Sequence, residues 1–390
     1  MAVATPLPVL TDEDRALRDL AREFAHGEVA PNAARWYEEE RCPIELFARM
    51  GELDLMGLLA PEEHGGTDVS TVALVAALFE VAKIDQSIAA AWQAHLTIGS
   101  MPLIAFGTGA QKERWLRPLA TGEKLGSFGL TEPGAGSDAS GIRTVARRQG
   151  DDWILNGSKV FISNAATEMS LGPVVLARVA ETGAAADGKA GYASLLVPRG
   201  TPGFSHGPKL RGIGWLSLDS RELTFEDVML DDDHVIGDPG RGLSQFLAVL
   251  DVGRITVATL GIALAEAVLE MALEYARERR QFGQPISKFQ GIQFKLADIA
   301  AQLEAVKLLV VRAAQLRDAG EPFGREGAMA KLLASELAVK AASEAVQIHG
   351  GYGYMQEYPV SRFYRDAKVL EIGEGTNEIQ RIVIARHLGC

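Results

Sequence analysis

The chain has 390 residues, 47% hydrophobic and 23% charged, a length that predicts two or three domains and a composition that fits a soluble globular protein. Its net charge of −12 argues against nucleic acid or an anionic membrane as main partner, since both demand a basic face, but leaves room for a phosphorylated ligand held by local groups. Its two cysteines, Cys42 and Cys390, cannot build a disulfide framework, so a reducing, cytoplasmic setting is expected; with no Cys/His cluster at ligand spacing, no metal site is expected either.

The start, "MAVATPLPVL", lacks the basic segment and long apolar stretch of a signal peptide. Residues 11 to 120 read as helices. "TDEDRALRDLAREFAHGEVAP" opens on Thr11 as an N-cap, places Leu17, Leu20 and Phe24 on one face, and is closed by Pro31. "PIELFARMGELDL" and "STVALVAALFEVAKID" continue the pattern from Pro43 and Ser70. The character changes near Leu125. "DDWILNGSKVFIS" reads as two short strands joined at Asn156-Gly157, the strongest short hairpin signal. "GYASLLVPRG" and "SRELTFEDVML" are similar, so residues 126 to 236 predict a small β domain. The polar "AETGAAADGKAG" (180–191) predicts a surface loop between strands. From Arg241 the helical period returns, over roughly 241–280, 286–318, 325–349 and 377–388, each stretch bounded by Gly or Pro. The best candidate for a membrane span, near Ile255 to Leu264, reads as too short and follows Asp251 and Arg254.

Four segments carry candidate chemistry, each beside a plainer reading. In "TEPGAGSDAS" (131–140), Gly134, Gly136 and Ala139 match the G-x-G-x-x-A dinucleotide fingerprint. That fingerprint needs a strand before it and a helix directly after it. Here Pro133 precedes it and Ser140-Gly141 and a strand-like region follow, so a nicotinamide-binding fold is rejected. What remains is a surface turn, or a loop whose exposed amides and Ser137 hydroxyl hold a phosphate or flavin edge. "QIHGGYGYMQEYP" ends a helix in Gly350 and Gly351, which serve as a C-cap or bare the backbone for a diphosphate. The arginines of "RERRQFGQPISKFQ" suit a helix end, or bidentate contact with that diphosphate. "EIGEGTNEIQR" sets Glu374 between Gly373 and Gly375, just before a helix start with Thr376 as N-cap and Glu378 in the first turn. An acid there suits the helix dipole, but the dipole does not require flanking glycines, which cost backbone entropy. Either the chain turns sharply, or something large lies against the backbone.

In this order, the segments resemble the acyl-CoA dehydrogenase family over nearly the whole chain. The resemblance is carried by "FGLTEPGAGSD" (128–138), "NGSKVFISNA" (156–165), "ERRQFGQPISKFQ" (278–290), "QIHGGYGY" (347–354) and "RDAKVLEIGEGTNEIQR" (365–381). It implies an α+β multidomain chain: an N-terminal helical domain (1–125), a middle β-barrel or sandwich-like domain (126–238) and a C-terminal four-helix bundle (239–390). It implies a homotetramer, a dimer of dimers, with FAD between the β domain and the C-terminal helices and a neighbouring subunit completing the site. Phe128, Leu130 and Thr131 match the strand under the isoalloxazine ring, and Ser137 the hydroxyl near the diphosphate and substrate. Phe161 and Ser163 stand where the family often has Trp and Thr flanking the flavin. Arg279, Gln290, Gln347, Gly350 and Gly351 match positions reaching the FAD of the adjoining subunit, and Thr376 and Glu378 the helix start beside the cofactor. Asp251 and Arg254 resemble positions near the acyl-CoA.

Glu374 corresponds to the catalytic base; a minority of members carry that base where this chain has Gly253. The implied reaction removes the proton α to a thioester and a hydride from the β carbon, which goes to flavin N5, giving a 2-enoyl-CoA. An electron-transfer flavoprotein is the implied acceptor. The thioester oxygen is expected to accept hydrogen bonds from the base residue's own N–H and a ribityl hydroxyl, and burial to raise the pKa of Glu374. Gly375 then lets the thioester pass close to the chain. Gly373 replaces a common Tyr and predicts room for α-branched acyl groups. "SIAAAWQAHLTIG" is expected to line the acyl end, its alanines giving space and Trp92 blocking it. An acyl-CoA oxidase or an acyl carrier protein dehydrogenase of the same fold stays open. A catalytically idle scaffold is disfavoured by the presence of Glu374 and Arg279.

Overall fold

The computed structural model describes residues 10–180 and 191–390. The stretch read as a surface loop, apart from its two end residues, and the first nine residues lie outside the described residues.

Helix α1 (Asp12–Phe24) begins at a capping box: the Thr11 hydroxyl accepts from the Asp14 amide, and the Asp14 carboxylate accepts from the Thr11 amide at 2.9 Å. Leu17 and Leu20 are partly buried and Phe24 is buried. The helix gives way at Ala25 to a wider turn through Val29, ahead of Pro31. Then follow α2 (Ala33–Glu38), α3 (Ile44–Glu52), α4 (Thr71–Ile84) and α5 (Gln86–Ala94). Ser70 caps α4 and Asp85 caps α5, each side chain accepting an orphan amide. Three short helices, α6 (Met101–Phe106), α7 (Gly109–Gln111) and α8 (Arg117–Ala120), complete the block.

The strands are β1 (Leu125–Gly129), β2 (Val145–Gln149), β3 (Asp152–Ser163), β4 (Ser170–Val179), β5 (Tyr192–Leu196), β6 (Phe204–Lys209) and β7 (Ser220–Asp231). They form one sheet in the order β1-β4-β2-β3-β7-β6, with β5 against β4; β4 runs parallel to β1 and β2, and the other pairs are antiparallel. Alternation along β4 sends Val175 and Ala177 into the strands' own core with Trp153, Leu155 and Phe225. Val174 and Leu176 point the other way, into the helical core. Burying both faces is what seats the β domain on the helices.

The expected hairpin at Asn156-Gly157 is not formed. These residues lie inside one continuous strand, β3, at a bulge opposite β7. The Asn156 side chain exchanges hydrogen bonds with Asp227, donating to Oδ1 at 3.0 Å and accepting from its amide at 2.9 Å. Gly157 (φ 144°) is needed because a Cβ there would fall 2.6 Å from Thr144 Cα and 2.5 Å from its Oγ1. Close approach of Thr144, which leads into β2, and not a turn, accounts for the glycine.

The C-terminal block holds α9 (Gly242–Glu278), α10 (Gln290–Asp318), α11 (Gly324–His349), α12 (Pro359–Ala367) and α13 (Asn377–His387). Helix α12 falls outside the stretches with a helical period, although Pro359 starts it and Val360, Phe363 and Ala367 bury one face. Nor is the apolar stretch of α9 short: that helix is long and apolar enough to cross a membrane. The protein's own packing buries 78% of its most apolar window, which makes it the central helix of the bundle. One buried carboxyl, Asp366 of α12, joins the three blocks. It accepts from the Tyr37 hydroxyl of α2 at 2.9 Å and from the Trp215 amide of the β6–β7 connection at 2.6 Å. Burial pushes its pKa up to about 7.

Candidate active site

Glu374 sits on a left-handed turn. Its φ is 51° and that of Gly375 is 92°, so the chain reverses between the turn Lys368–Glu371 and α13. Gly375 is required by its backbone. Gly373 is not: its φ is negative, and a Cβ there would meet only the Val369 carbonyl, at 3.4 Å. Side chains from below hold the turn. Lys331 of α11 donates to the Gly375 carbonyl at 2.9 Å and to Asn377 Oδ1 at 3.1 Å, and Ser335 donates to the same Oδ1 at 3.0 Å. Gln380 donates to the Gly375 carbonyl at 2.9 Å. Thr376 caps α13, and Glu378 is exposed in its first turn. Lys331 is fully buried; burial pulls its pKa down to about 8 against the pull of Glu374.

This turn aims the Glu374 carboxylate at α5 and α9. Oε1 accepts from Gln93 Nε2 of α5 at 2.8 Å. Oε2 is buried and has no hydrogen-bond partner among the described residues. On α9 the carboxylate meets Gly253, where an added Cβ would fall 1.9 Å from Oε2. Positions 253 and 374, remote in sequence, thus face one point in space. Burial raises the Glu374 pKa to about 7, opposed by the Gln93 hydrogen bond and the charges of Lys331 and Arg254. A carboxylate that titrates near neutrality, with one oxygen uncommitted, is equipped to take a proton.

Beside Gly253 on α9, Arg254 is buried and ion-paired to Asp251. Its Nε has no partner among the described residues. Burial raises the Asp251 pKa, with Arg254 and His387 opposing.

The β domain supplies a second wall. β1 ends at Gly129, so Leu130 and Thr131 lie just beyond it. The Phe128 ring stacks on Phe246 of α9 at 4.1 Å and is spent on packing. Glu132 anchors the glycine loop: buried, it accepts from the Arg143 and Thr144 amides at 2.6 and 2.9 Å and from Lys159 at 2.9 Å. Ser137 and the backbones of Gly134 and Gly136 stay exposed, and the loop is followed by one three-residue 3-10 turn, Ala139–Gly141, and then β2, not by the long α-helix that the dinucleotide fingerprint needs. The Thr131 carbonyl accepts from the Val160 amide at 2.9 Å, which brings the loop to Phe161. Phe161 is 68% exposed at φ 63°, an uncommon state for a large aromatic. Ser163 is half-buried, and its neighbour Asn164 donates to the Ala91 carbonyl of α5 at 2.9 Å. The exposed amides, hydroxyl and uncovered ring, adjoining the helix that carries Gln93, fit the edge and phosphates of a flavin dinucleotide.

Arg279, Gln290, Gln347, Gly350 and Gly351 are exposed at the other end of the bundle. The Arg279 guanidinium lies over Tyr352 at 5.8 Å, and the Arg279 carbonyl accepts from the Ile286 amide at 2.8 Å. Gln347 stands roughly 24 Å along α11 from Lys331, at 1.5 Å rise per residue. Within one chain, this group and Glu374 form two separate places.

Gln93 and Lys331 belong to no motif in the sequence. Their signal was a long polar side chain amid small apolar residues on a buried helix, which needs a partner. Trp92, read as a block to the acyl end, is wholly buried and donates to the Leu55 carbonyl at 2.9 Å, so it belongs to the N-terminal core.

Residues 11–123, 127–228 and 240–389 match the N-terminal, middle and C-terminal domains of acyl-CoA dehydrogenase. Over 379 residues the chain is 46% identical to the probable acyl-CoA dehydrogenase YngJ of Bacillus subtilis (strain 168), covering 97% of this chain and 98% of that protein. It is 41% identical over 379 residues to the mitochondrial short-chain specific acyl-CoA dehydrogenase of Mus musculus, covering 97% and 90%. The solved structure of butyryl-CoA dehydrogenase from Megasphaera elsdenii matches with a TM-score of 0.93 at 39% identity, covering 98% of this chain and 99% of that one. Three family domains matched in order, and relatives 39–46% identical over nearly the whole chain, lead to one statement: the chain belongs to the acyl-CoA dehydrogenase family of FAD enzymes.

Proposed function

We propose that this protein dehydrogenates a short-chain acyl-CoA between its α and β carbons, with Glu374 abstracting the α proton. The observation that carries the reading is the uncommitted, buried Oε2 of Glu374 in a carboxyl raised to about 7. FAD, when bound, supplies the acceptor for the hydride lost from the β carbon. The chain's own residues do the rest. Glu374 receives the proton at Oε2, and its burial keeps water from competing. The Glu374 main-chain N–H is assigned to the thioester oxygen, where the enolate charge gathers. Arg254 and Asp251 are assigned to the CoA portion, and the exposed Thr131–Ser137 loop, Phe161, Ser163 and the Thr376–Glu378 helix start to the FAD. Short acyl groups follow from the butyryl and short-chain specificities in the names of the relatives.

The roughly 24 Å along α11 from Lys331, which grips the Glu374 turn, to Gln347 supports an assembly in which a second copy brings Arg279, Gln290 and Gln347 to Gly351 to this copy's FAD. Such a shared site suits the homotetramer, and an electron-transfer flavoprotein is the acceptor we assign. Anaerobic titration of the FAD-loaded protein with butyryl-CoA tests the reaction. Bleaching of the visible flavin band is expected, and its persistence in Glu374→Gln would reject Glu374 as base. Hydrogen peroxide formed under air at the rate of substrate loss would mark an oxidase instead.

Gly373 favours a finer reading. Its position is open apart from the Val369 carbonyl, and no backbone demand explains it. We assign the space to an α-branched acyl group. Comparable turnover of 2-methylbutyryl-CoA and butyryl-CoA is expected; a preference above about a hundredfold for the straight chain would remove this idea.

A further inference from the structure

Gln93 is buried, and its Nε2 lies within hydrogen-bond distance of three acceptors, Glu374 Oε1 at 2.8 Å, Thr97 Oγ1 at 2.8 Å and Thr256 Oγ1 at 3.0 Å, so its two hydrogens are shared among them. Both threonine hydroxyls have already committed their protons. Thr97 Oγ1 donates to the Gln93 carbonyl at 2.8 Å, and Thr256 Oγ1 donates to the Gly253 carbonyl at 2.9 Å. Each therefore offers only lone pairs to the amide. A flipped amide would set its oxygen against two lone-pair-bearing oxygens and a carboxylate, so the threonines fix which end faces Glu374. The three anchors come from α5, the turn that follows it, and α9, and all three are buried. Among the described residues, the groups around the Glu374 carboxylate are Gln93 at Oε1, Gly253 against Oε2, and the more distant charges of Lys331 and Arg254.

We propose that Gln93, clamped by Thr97 and Thr256, is the positioning residue of the base: it holds the Glu374 side chain in place by Oε1, leaves Oε2 free for the substrate, and sets the pH at which Glu374 becomes competent. This rests on Glu374 being the base. A neutral amide can only donate here, so it favours the charged carboxylate over the acid. Without it, burial acts unopposed at Oε1, and the base ionises only at higher pH. A merely structural Gln93 would affect stability and leave the titration alone.

The test compares Gln93→Met, which keeps length and removes the donor, with Gln93→Glu, which replaces the donor with a second carboxylate. Two readouts are used. One is the acid limb of kcat/KM against pH for the FAD-loaded enzyme with butyryl-CoA. The other, independent of turnover, is the infrared titration of the protonated-carboxyl band that Glu374→Gln removes. In Gln93→Met both inflections rise by about one to two pH units, so that kcat/KM falls roughly tenfold or more at acid pH and largely recovers at alkaline pH. In Gln93→Glu they rise further. Unshifted inflections in both variants, with a loss uniform across pH, overturn the proposal while leaving Glu374 as base. Retained activity in Glu374→Gln overturns the base and this proposal together.

Discussion

Replacing Gly253 by alanine separates stability from catalysis in one residue. The added Cβ lands 1.9 Å from Glu374 Oε2, whereas ordinary contact begins near 3.4 Å, so the carboxylate must retreat by about 1.5 Å. The atom displaced is the end of a side chain, not backbone, so folding tolerates the change. Glu374 Cδ, at 3.1 Å, moves with the same carboxylate, and the nearest contact outside Glu374, Ile98 Cγ2 at 3.5 Å, is unstrained. Alanine inside α9 is itself worth about 0.5–1 kcal/mol over glycine. That gain offsets part of the Gln93–Glu374 bond that the retreat breaks, so thermal stability should fall by no more than about 1 kcal/mol. The retreat breaks the 2.8 Å bond from Gln93 and moves the base off its target. A misplacement of about 1 Å costs on the order of 10²-fold, so kcat/KM for butyryl-CoA should fall by about that factor. Gly261→Ala, on the same helix, is the control. Its Cβ would meet the Ala334 carbonyl of α11 at 2.9 Å, a backbone atom that cannot step aside. That variant should lose roughly 1–3 kcal/mol of stability by overpacking. Scanning calorimetry and steady-state kinetics on the two variants give the answer. Gly253→Ala with kcat/KM within twofold of the parent would refute the placement of the carboxylate against α9.

Three further outcomes are expected. The acid limb of kcat/KM in the parent enzyme should inflect near pH 7, because Glu374 must lose its proton before it can accept one; an inflection near 4.5 would contradict its burial. Lys159→Met strands the buried Glu132 carboxylate, which keeps two amide donors but no cation, and should cost about 3–5 kcal/mol by thermal denaturation, much of it restored by adding Glu132→Gln. Asp366 holds its proton in the folded state up to about pH 7 but loses it near 4 when unfolded, so its contribution to stability is present below pH 4 and lost as pH rises to 7. Asp366→Asn should flatten that part of the stability curve by a few kcal/mol; an unchanged slope would place the titration elsewhere.

What was legible in the sequence was local chemistry. Thr11, Ser70 and Thr376 are caps because a hydroxyl at that point satisfies an amide three residues on, whatever the rest of the chain does. The long helices and the change of character at Leu125 follow from period alone. The misreadings share one cause, a local signal overruled from a distance. Asn156-Gly157 carries a turn signature, yet β2 and Asp227 fix both residues within a strand. The glycines flanking Glu374 look equivalent, yet only Gly375 is demanded by its backbone. Gln93 was hidden most deeply, because its meaning lies in a bond spanning 281 residues, between the first helical block and the last loop. The remote Arg279 group reads as a site only through resemblance, since nothing within one chain brings it to Glu374.

Helix α11 acts as a ruler. Lys331, about two turns in from its start, grips the turn that carries Glu374, while Gln347 and the Gly350 cap mark its far end. Nothing interrupts the hydrogen-bonded rod between them, so their separation and relative bearing are set by helical pitch alone. Inserting or deleting one residue in that span would swing one end by about 100° while leaving local composition almost untouched. Length in this stretch is therefore under tighter restraint than identity, a constraint that single-residue substitutions cannot reveal.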